Sequence, residues 1–212
     1  MTILAVLTLG AMFAIQNNNL NAGVTQSSVS YGINTGTEPV QSSTAAFKTS
    51  IAVPDGKATV SSNTSYTISA KVESAMSYSD QISSLIPTDL LLAWGDITQN
   101  GVDGMLSWQQ EDRHGQVSGS LGGDGVDLTQ DYVIRHVSNN HVVPANTRVA
   151  AAIAGIKAGD TIRIDGRLID VRMALNDGRV LTVNTSKSRS DQGEGACEII
   201  YVEHIRVNGI AY

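Results

Sequence analysis

The chain is short of cysteine and of positive charge. Cys197 is its lone cysteine, which excludes an internal disulfide and a zinc site built from several cysteines. The 14 lysine and arginine residues are outnumbered by 20 aspartate and glutamate residues, so the formal net charge is −6. A broad basic surface for a phosphate backbone is therefore lacking, and we do not expect nucleic acid as a partner.

Aromatic residues are also scarce, at 5% of the chain, whereas glycine contributes 20 residues. This composition is typical of turns and short β-elements and argues against a large, packed helical domain. A length of 212 residues allows one medium domain with a tail, or two small domains.

Two segments precede the predicted domain. Residues 1–15 are apolar, carry no charge and follow no lysine or arginine. They match a signal-peptide core in length and fall short of the roughly 20 residues of a membrane span. We expect an uncleaved membrane anchor; a cleaved export signal and a buried helix are the alternatives. Residues 16–61 are rich in Asn, Ser, Thr and Gly, which predicts a flexible spacer.

Residues 62–212 carry the periodic patterns of one β-rich domain. Apolar residues alternate with polar ones from Tyr66 to Val72, which predicts a strand. Residues 77–96 predict a loop and a short helix, residues 101–125 a hairpin with a long glycine-rich tip, and residues 132–137 a strand. Asn146 is placed to cap a helix that Gly159 would end.

The most informative stretch runs from Ala158 to Val171 and predicts one long, bent strand. Its apolar and polar residues alternate until the phase slips after Gly166, where a bulge is expected. Asn176-Asp177-Gly178 then predicts a hairpin turn, and residues 197–207 predict a final central strand. The pattern favours a mainly β (α+β) fold, a small OB-like or bent-sheet barrel with one inserted helix. An open α+β sheet is the alternative.

Several motifs together resemble a family of uncharacterised proteobacterial proteins. They are Trp94-Gly95, Asn140-x-x-x-Pro144-Ala145 with His141, Gly159-Asp160 before Gly166-x-Leu168, and Ser188-Arg189-Ser190-Asp191-x-Gly193-x-Gly195-Ala196-Cys197-Glu198. The resemblance covers roughly residues 66–203. It implies an N-terminal membrane segment followed by one exported domain, with no established activity. The family's Gln-x-x-Arg-aromatic segment corresponds to residues 110–114, where the aromatic is missing.

Residues for a catalytic triad are available, but no motif supports one. Ser188 or Ser190 with His141 and Asp191 would supply the residue types of a hydrolase. The sequence has no Gly-x-Ser-x-Gly elbow, and serine is abundant throughout. Cys197 begins an apolar strand, where buried thiols are usually inert.

The polar loop predicted before the last strand has two possible roles, a structural one and a binding one. Arg189 is placed to pair with Asp191 or Glu198 and hold the loop, or else to contact an acidic partner or glycan. We take as candidate binding residues Trp94, Asn140, His141, Arg189 and Glu198. The spacing of His136, His141 and His204 does not favour a metal site, and we expect no cofactor.

These observations favour a non-enzymatic binding or assembly module. We expect an inner-membrane-anchored or exported protein with a periplasmic domain and an envelope protein as its partner. The first alternative is a hydrolase of a periplasmic polymer, which would use His141 and the loop from Ser188 to Asp191. The second is single-strand nucleic-acid binding by an OB-like face, which the charge balance disfavours.

Overall fold

The structure, a computed structural model, describes residues 32–119, 128–188 and 196–212. The predicted anchor over residues 1–15 lies outside these ranges. The described strands are β1 (Val40–Val53), β2 (Gly56–Ser77), β3 (Thr88–Ala93), β4 (Ser107–Glu111), β5 (His114–Ser118), β6 (Val137–Pro144), β7 (Thr161–Leu175), β8 (Val180–Val183), β9 (Glu198–Val207) and β10 (Ile210–Ala211). The helices are α1 (Gln130–Arg135) and α2 (Thr147–Ala154), with short 3-10 turns at Gly95–Thr98 and Asp103–Met105. In the described part of the chain, no helix reaches the length and apolar character that a membrane crossing requires.

The main sheet is strongly bent around its two longest strands. Its order is β1-β2-β3-β6-β9-β7-β8, with β10 beside β9, and β7 pairs in turn with β2. β2 contacts β7 through residues 56–71 and β3 through residues 71–77, so the sheet curls back on itself without forming a closed regular barrel. β6 and β9 are parallel, and α2 connects β6 to β7. The predicted mainly β fold, a bent sheet with an inserted helix, is thus confirmed, whereas the described strands do not close into the predicted barrel.

The core fills the inside of this curl. Ile68, Leu92, Val142, Ile164 and Ile200 contribute to it from five different strands, and each is fully buried. Asn146 caps α2 by accepting hydrogen bonds from two backbone N–H groups at 3.0 Å, as its sequence position predicts. The helix ends at Ala154, one turn before the predicted end at Gly159.

The predicted flexible spacer is wrong over residues 40–61, which form β1 and the beginning of β2. Ala58 and Val60 lie opposite Met173 and Val171 of β7 and are fully buried. Serine and threonine at the alternate positions give this stretch the composition of a linker. Residues 56–61 pair with the distant strand β7 and β1 pairs in turn with β2, which composition does not reveal.

Two further elements differ from the sequence prediction. Residues 88–93, predicted as part of a loop and short helix, form β3, whose residues are all buried. A short apolar run buried on both faces does not show a strand period, which explains the error. Residues 130–135 form α1 where a strand was predicted to begin; Thr129 caps this helix by accepting a hydrogen bond from the Tyr132 N–H at 3.1 Å.

The predicted hairpin within residues 101–125 is present as β4 and β5. Its turn is two residues long: Asp112 and Arg113 both have positive φ, at 47° and 66°. Two left-handed residues suit a tight hairpin turn. The predicted long tip is therefore absent from this turn, and the glycine-rich stretch at 120–125 lies outside the described residues.

Candidate functional site

A buried ion pair joins the outer face of β3 to that of β6. Asp89 and His141 lie opposite each other in the antiparallel register, and His141 Nδ1 is 2.9 Å from Asp89 Oδ1. The Asp89 side chain is fully buried and that of His141 is 12% exposed. Burial disfavours the imidazolium, but the Asp89 carboxylate and the Cys197 side chain outweigh that cost and raise the pKa of His141 to about 9. His141 is therefore held as a cation at neutral pH.

Arg113 completes this ion pair from the hairpin turn above it. Its guanidinium Nη1 lies 3.1 Å from Asp89 Oδ1, and Nη2 donates to the Ile86 carbonyl at 3.0 Å. It also binds Asp80 through Nε and Nη2 and covers the Tyr78 ring at 4.4 Å. The hydrogen bonds from Arg113 hold the pKa of Asp80 at about 2. One guanidinium thus fastens the β4–β5 hairpin, the segment before β3 and β3 itself.

Cys197 lies beside this network at the start of β9. Parallel pairing sets Asn140 against Glu198, which places Cys197 next to Asn139. The Asn139 amide Nδ2 is 3.7 Å from Cys197 Sγ and donates to the Arg113 carbonyl at 2.8 Å. Its Oδ1 accepts from the Gln110 amide at 2.7 Å. Asp89, His141, Cys197 and Asn139 therefore form one connected polar cluster.

An open cleft borders this cluster; we name it the main cleft. Its volume is about 1040 Å³. It lies between β5, α1, the first half of β6 and the start of β9, and its apolar walls include Leu91, Leu106 and Val133. Polar side chains at its border are Ser138, Asn139, Cys197 and Glu198. Glu198 is the one carboxylate among the described residues that line it, and none of these is lysine or arginine.

Three of the predicted binding residues are buried: Trp94, Asn140 and, at the border of the main cleft, Glu198. Trp94 is fully buried in the core, and its indole N–H donates to Glu38 at 3.1 Å. Asn140 is also fully buried and donates to the Leu90 and Ser138 carbonyls at 3.3 and 3.0 Å. Both side chains therefore lie in the interior, and a binding role for them stays a prediction.

Of the other predicted residues, some lie in the cluster or the main cleft, and the rest lie outside the described ranges. His141 is in the cluster, whereas Ser188 and Glu198 line the main cleft. Arg189, Ser190 and Asp191 lie outside the described residues. The nearest carboxylate to the His141 ring among the described residues is that of Asp89, not one from the C-terminal loop.

The histidines considered for a metal site have different neighbours in the fold. His136 Nε2 lies 2.6 Å from Glu38 Oε1, and its ring stacks on Tyr132. His204 is exposed and lies opposite Asp165 on the neighbouring strand. Within the described residues, no group of three or more histidine, cysteine or acidic side chains is placed to hold a metal ion.

Sequence reasoning missed Asp89 and did not assign a role to Arg113 or Gln110. Asp89 is a single acidic residue at the start of the apolar run 88–93. A charged side chain in an otherwise buried run requires a partner of opposite charge, and this need was the signal that could have identified Asp89. The partners came from positions 24 and 52 residues away, which spacing alone does not connect.

A second buried carboxyl group lies away from the main cleft. Glu73 is the extra residue of a bulge between Val72 and Ser74 in the pairing of β2 with β3. No described residue forms a hydrogen bond with its buried Oε1. Burial, opposed by the charge of Lys71 and assisted by that of Asp103, raises the pKa of Glu73 to about 7.

We expect Glu73 to make the protein less stable as the pH rises from 4.5, its ordinary pKa, to about 7. In this interval the folded chain retains a proton that the unfolded chain has released, so each rise in pH favours unfolding. The expected loss is about 1–2 kcal/mol after allowance for solvent screening at this half-buried site. Urea unfolding across this interval should show that the free energy of unfolding depends less on pH in Glu73→Gln than in the unchanged chain. The exposed control Glu111→Gln should leave the dependence unchanged; equal slopes in all three proteins would contradict the assignment.

Three kinds of comparison with known proteins gave no match. No protein-family model matches the chain. No curated protein matches it, and no solved structure matches it either.

Proposed function

We propose that this protein is a non-enzymatic binding module that receives a partner in the main cleft. The observation that carries the proposal is the cleft itself: an open volume of about 1040 Å³ beside the bent sheet. Concave, mainly apolar sites with a few polar groups are the usual form of ligand sites. Sheets of the OB-like kind also bind extended oligomers across their strands and loops.

The lining indicates the character of the partner. Apolar walls and a border of hydroxyl and amide groups suit an extended segment, and the Glu198 carboxylate, although this residue is only 1% exposed, disfavours negative charge there. A strongly anionic polymer would be repelled by the net charge of −6. We therefore propose a segment of another envelope protein as the partner.

The polar cluster supports binding more than catalysis. His141 is held as a cation between the fully buried Asp89 carboxylate and the Cys197 side chain. Arg113 forms a second ion pair with Asp89. A general base must be neutral when it accepts a proton, and its pKa should be close to the working pH. The cluster instead connects β3, β6, β9 and the β4–β5 hairpin, and so fixes the walls of the main cleft.

The proposed location rests on the sequence alone. The uncharged apolar segment at residues 1–15 would anchor or export the chain, which agrees with the envelope location that the family resemblance implies. We propose an inner-membrane-anchored or exported protein with its β-rich domain in the periplasm. Protease added to spheroplasts that express the full chain should digest the domain; protection until the membrane is lysed would contradict this location.

Site-specific crosslinking tests the binding proposal. A photoreactive amino acid at Gln116, an exposed position in the main cleft, should yield a defined covalent adduct in intact cells. The same group at Asp177, in the exposed turn between β7 and β8, is the control and should yield none. Adduct formation that is equal at both positions, or missing at Gln116, would count against the main cleft as a binding site.

A hydrolase that uses Cys197 is a second candidate, favoured by the interaction of Cys197 with His141 at the border of the main cleft. In that mechanism the sulfur would attack an acyl carbon and His141 would donate a proton to the leaving group; water would then hydrolyse the thioester, which releases the acid and restores Cys197.

Thiol reactivity separates the two candidates, because Cys197 is the lone cysteine of the chain. The binding module predicts that iodoacetamide labels the folded chain at neutral pH at least about tenfold more slowly than the chain unfolded in urea, because the sulfur is partly buried. The hydrolase predicts that iodoacetamide labels the folded chain faster than the unfolded chain. Mass spectrometry measures the rates, and Cys197→Ser supplies the blank.

A further inference from the structure

A smaller cleft lies on the outer face of the sheet, away from the main cleft. Its volume is about 410 Å³. Its base is formed by side chains of β2, β7 and β9, and residues 32–37 form one wall. We name it the arginine cleft after two of the residues that line it, which include Asn34, Thr37, Ser69, Arg163, Asp165 and Arg206.

Two arginines face each other across the base of this cleft. Arg163 of β7 and Arg206 of β9 are directly opposite in the antiparallel register, so both side chains point to the same face. Ser69 of β2 is opposite Arg163 on its other side, which produces a row of three side chains across three strands. Like charges that are directly opposite each other destabilise a sheet, so this row is unfavourable when the cleft is empty.

The carboxylate in the cleft compensates only one of the two cations. Asp165 accepts hydrogen bonds from Arg163 Nε at 3.1 Å and Nη2 at 2.9 Å, and from the Thr67 hydroxyl at 2.8 Å. Arg206 forms no ion pair with any described residue, and it is exposed. The three charged groups of the cleft therefore leave one net positive charge, in a chain whose net charge is −6.

Ser69 adds a donor that has no partner within the described residues. It is only 6% exposed, and it lines the arginine cleft. Its hydroxyl is reachable from the cleft and can donate to a bound molecule there. A ligand with several acceptor oxygens would supply that partner together with the counter-charge for Arg206.

We propose that the arginine cleft binds a phosphate-type oxyanion, which accepts hydrogen bonds from Arg206, Arg163 and Ser69. A tetrahedral anion offers oxygens in several directions at once, which matches three donors in a row. Guanidinium groups bind phosphate through paired N–H donors and remain charged at any physiological pH. The ligand is either free phosphate or a phosphate headgroup at a membrane surface. This site is separate from the main cleft and does not depend on the binding proposal made for it.

Purified full chain and inorganic phosphate test the proposal at constant ionic strength. Phosphate should raise the Tm of the chain, because a ligand that binds only the folded state stabilises it. Arg206→Gln should raise the Tm without phosphate by about 1 °C, since it removes the like-charge pair. The same variant should lose the phosphate-dependent rise and bind phosphate at least about tenfold more weakly in calorimetry.

Arg172→Gln is the matched control, because Arg172 is exposed on β7 but outside the cleft. It should respond to phosphate as the unchanged chain does. The proposal is overturned if phosphate leaves the Tm of the chain unchanged, if Arg206→Gln retains the full response, or if chloride at the same ionic strength has the same effect. Vesicles of phosphatidylcholine with and without phosphatidic acid then separate the two sources of phosphate. If the chain binds the vesicles only when phosphatidic acid and Arg206 are both present, the ligand is a headgroup. If the chain binds inorganic phosphate but not these vesicles, the ligand is the free anion.

Discussion

Gly166→Ala is expected to lower the free energy of unfolding by about 3 kcal/mol or more. A Cβ atom at this position would overlap the carbonyl oxygen of Tyr201 in β9 and would lie 3.1 Å from its carbonyl carbon. Both are backbone atoms in the centre of the sheet, so no side chain can move aside to relieve the contact. The register of β7 against β9 shifts between Asp165 and Gly166, and the added methyl group would force these strands apart at this irregularity.

Urea unfolding followed by circular dichroism measures this loss, and Gly104→Ala is the control. A Cβ at Gly104 would have no heavy atom within 4 Å, so its substitution should change the stability by no more than about 0.5 kcal/mol. If the purified Gly166→Ala chain has lost its sheet signal altogether, the expectation is also met. A stability equal to that of the Gly104→Ala chain would contradict the close approach of β7 and β9.

Arg113→Ala is expected to cost about 3–5 kcal/mol, because it leaves the fully buried Asp89 carboxylate with one cation instead of two. The substitution also removes the donors to Asp80, Ser83 and the Ile86 carbonyl and the contact with the Tyr78 ring. Since these partners belong to the segment that leads into β3, the loss should loosen both that segment and the β4–β5 hairpin.

Arg135→Ala is the matched control for this substitution. Arg135 also pairs with an aspartate, but both side chains of that helical pair are more than half exposed. Exposed pairs of this kind contribute about 0.5 kcal/mol or less. Thermal unfolding should therefore separate the two variants clearly, and hydrogen exchange should show faster exchange around residues 78–89 in Arg113→Ala alone. Equal melting temperatures for the two variants would show that Arg113 does not hold the cluster.

The candidate site was predictable only in part, because its residues are brought together by strand pairing over long distances. His141 was singled out by its place in the motif with Asn140 and Pro144, but its carboxylate partner was sought in the C-terminal loop. The antiparallel register of β3 and β6 instead sets Asp89 beside it. Trp94 and Asn140 belonged to recognisable motifs, yet a motif does not state whether a side chain faces the core or the solvent.

The sequence by itself determined the β-rich class, the bend at Gly166, the cap of α2 at Asn146 and the hairpin at Asn176–Gly178. These features depend on neighbouring residues: side-chain alternation, a capping side chain and a turn motif act within a few positions of one another. Tertiary structure alone decided that residues 40–61 are strand, that Asp89 joins Arg113 and His141, and that Arg163 faces Arg206. Each of these outcomes depends on which distant strands pair and in which register, and that choice is made by the burial of the whole sheet rather than by any local pattern.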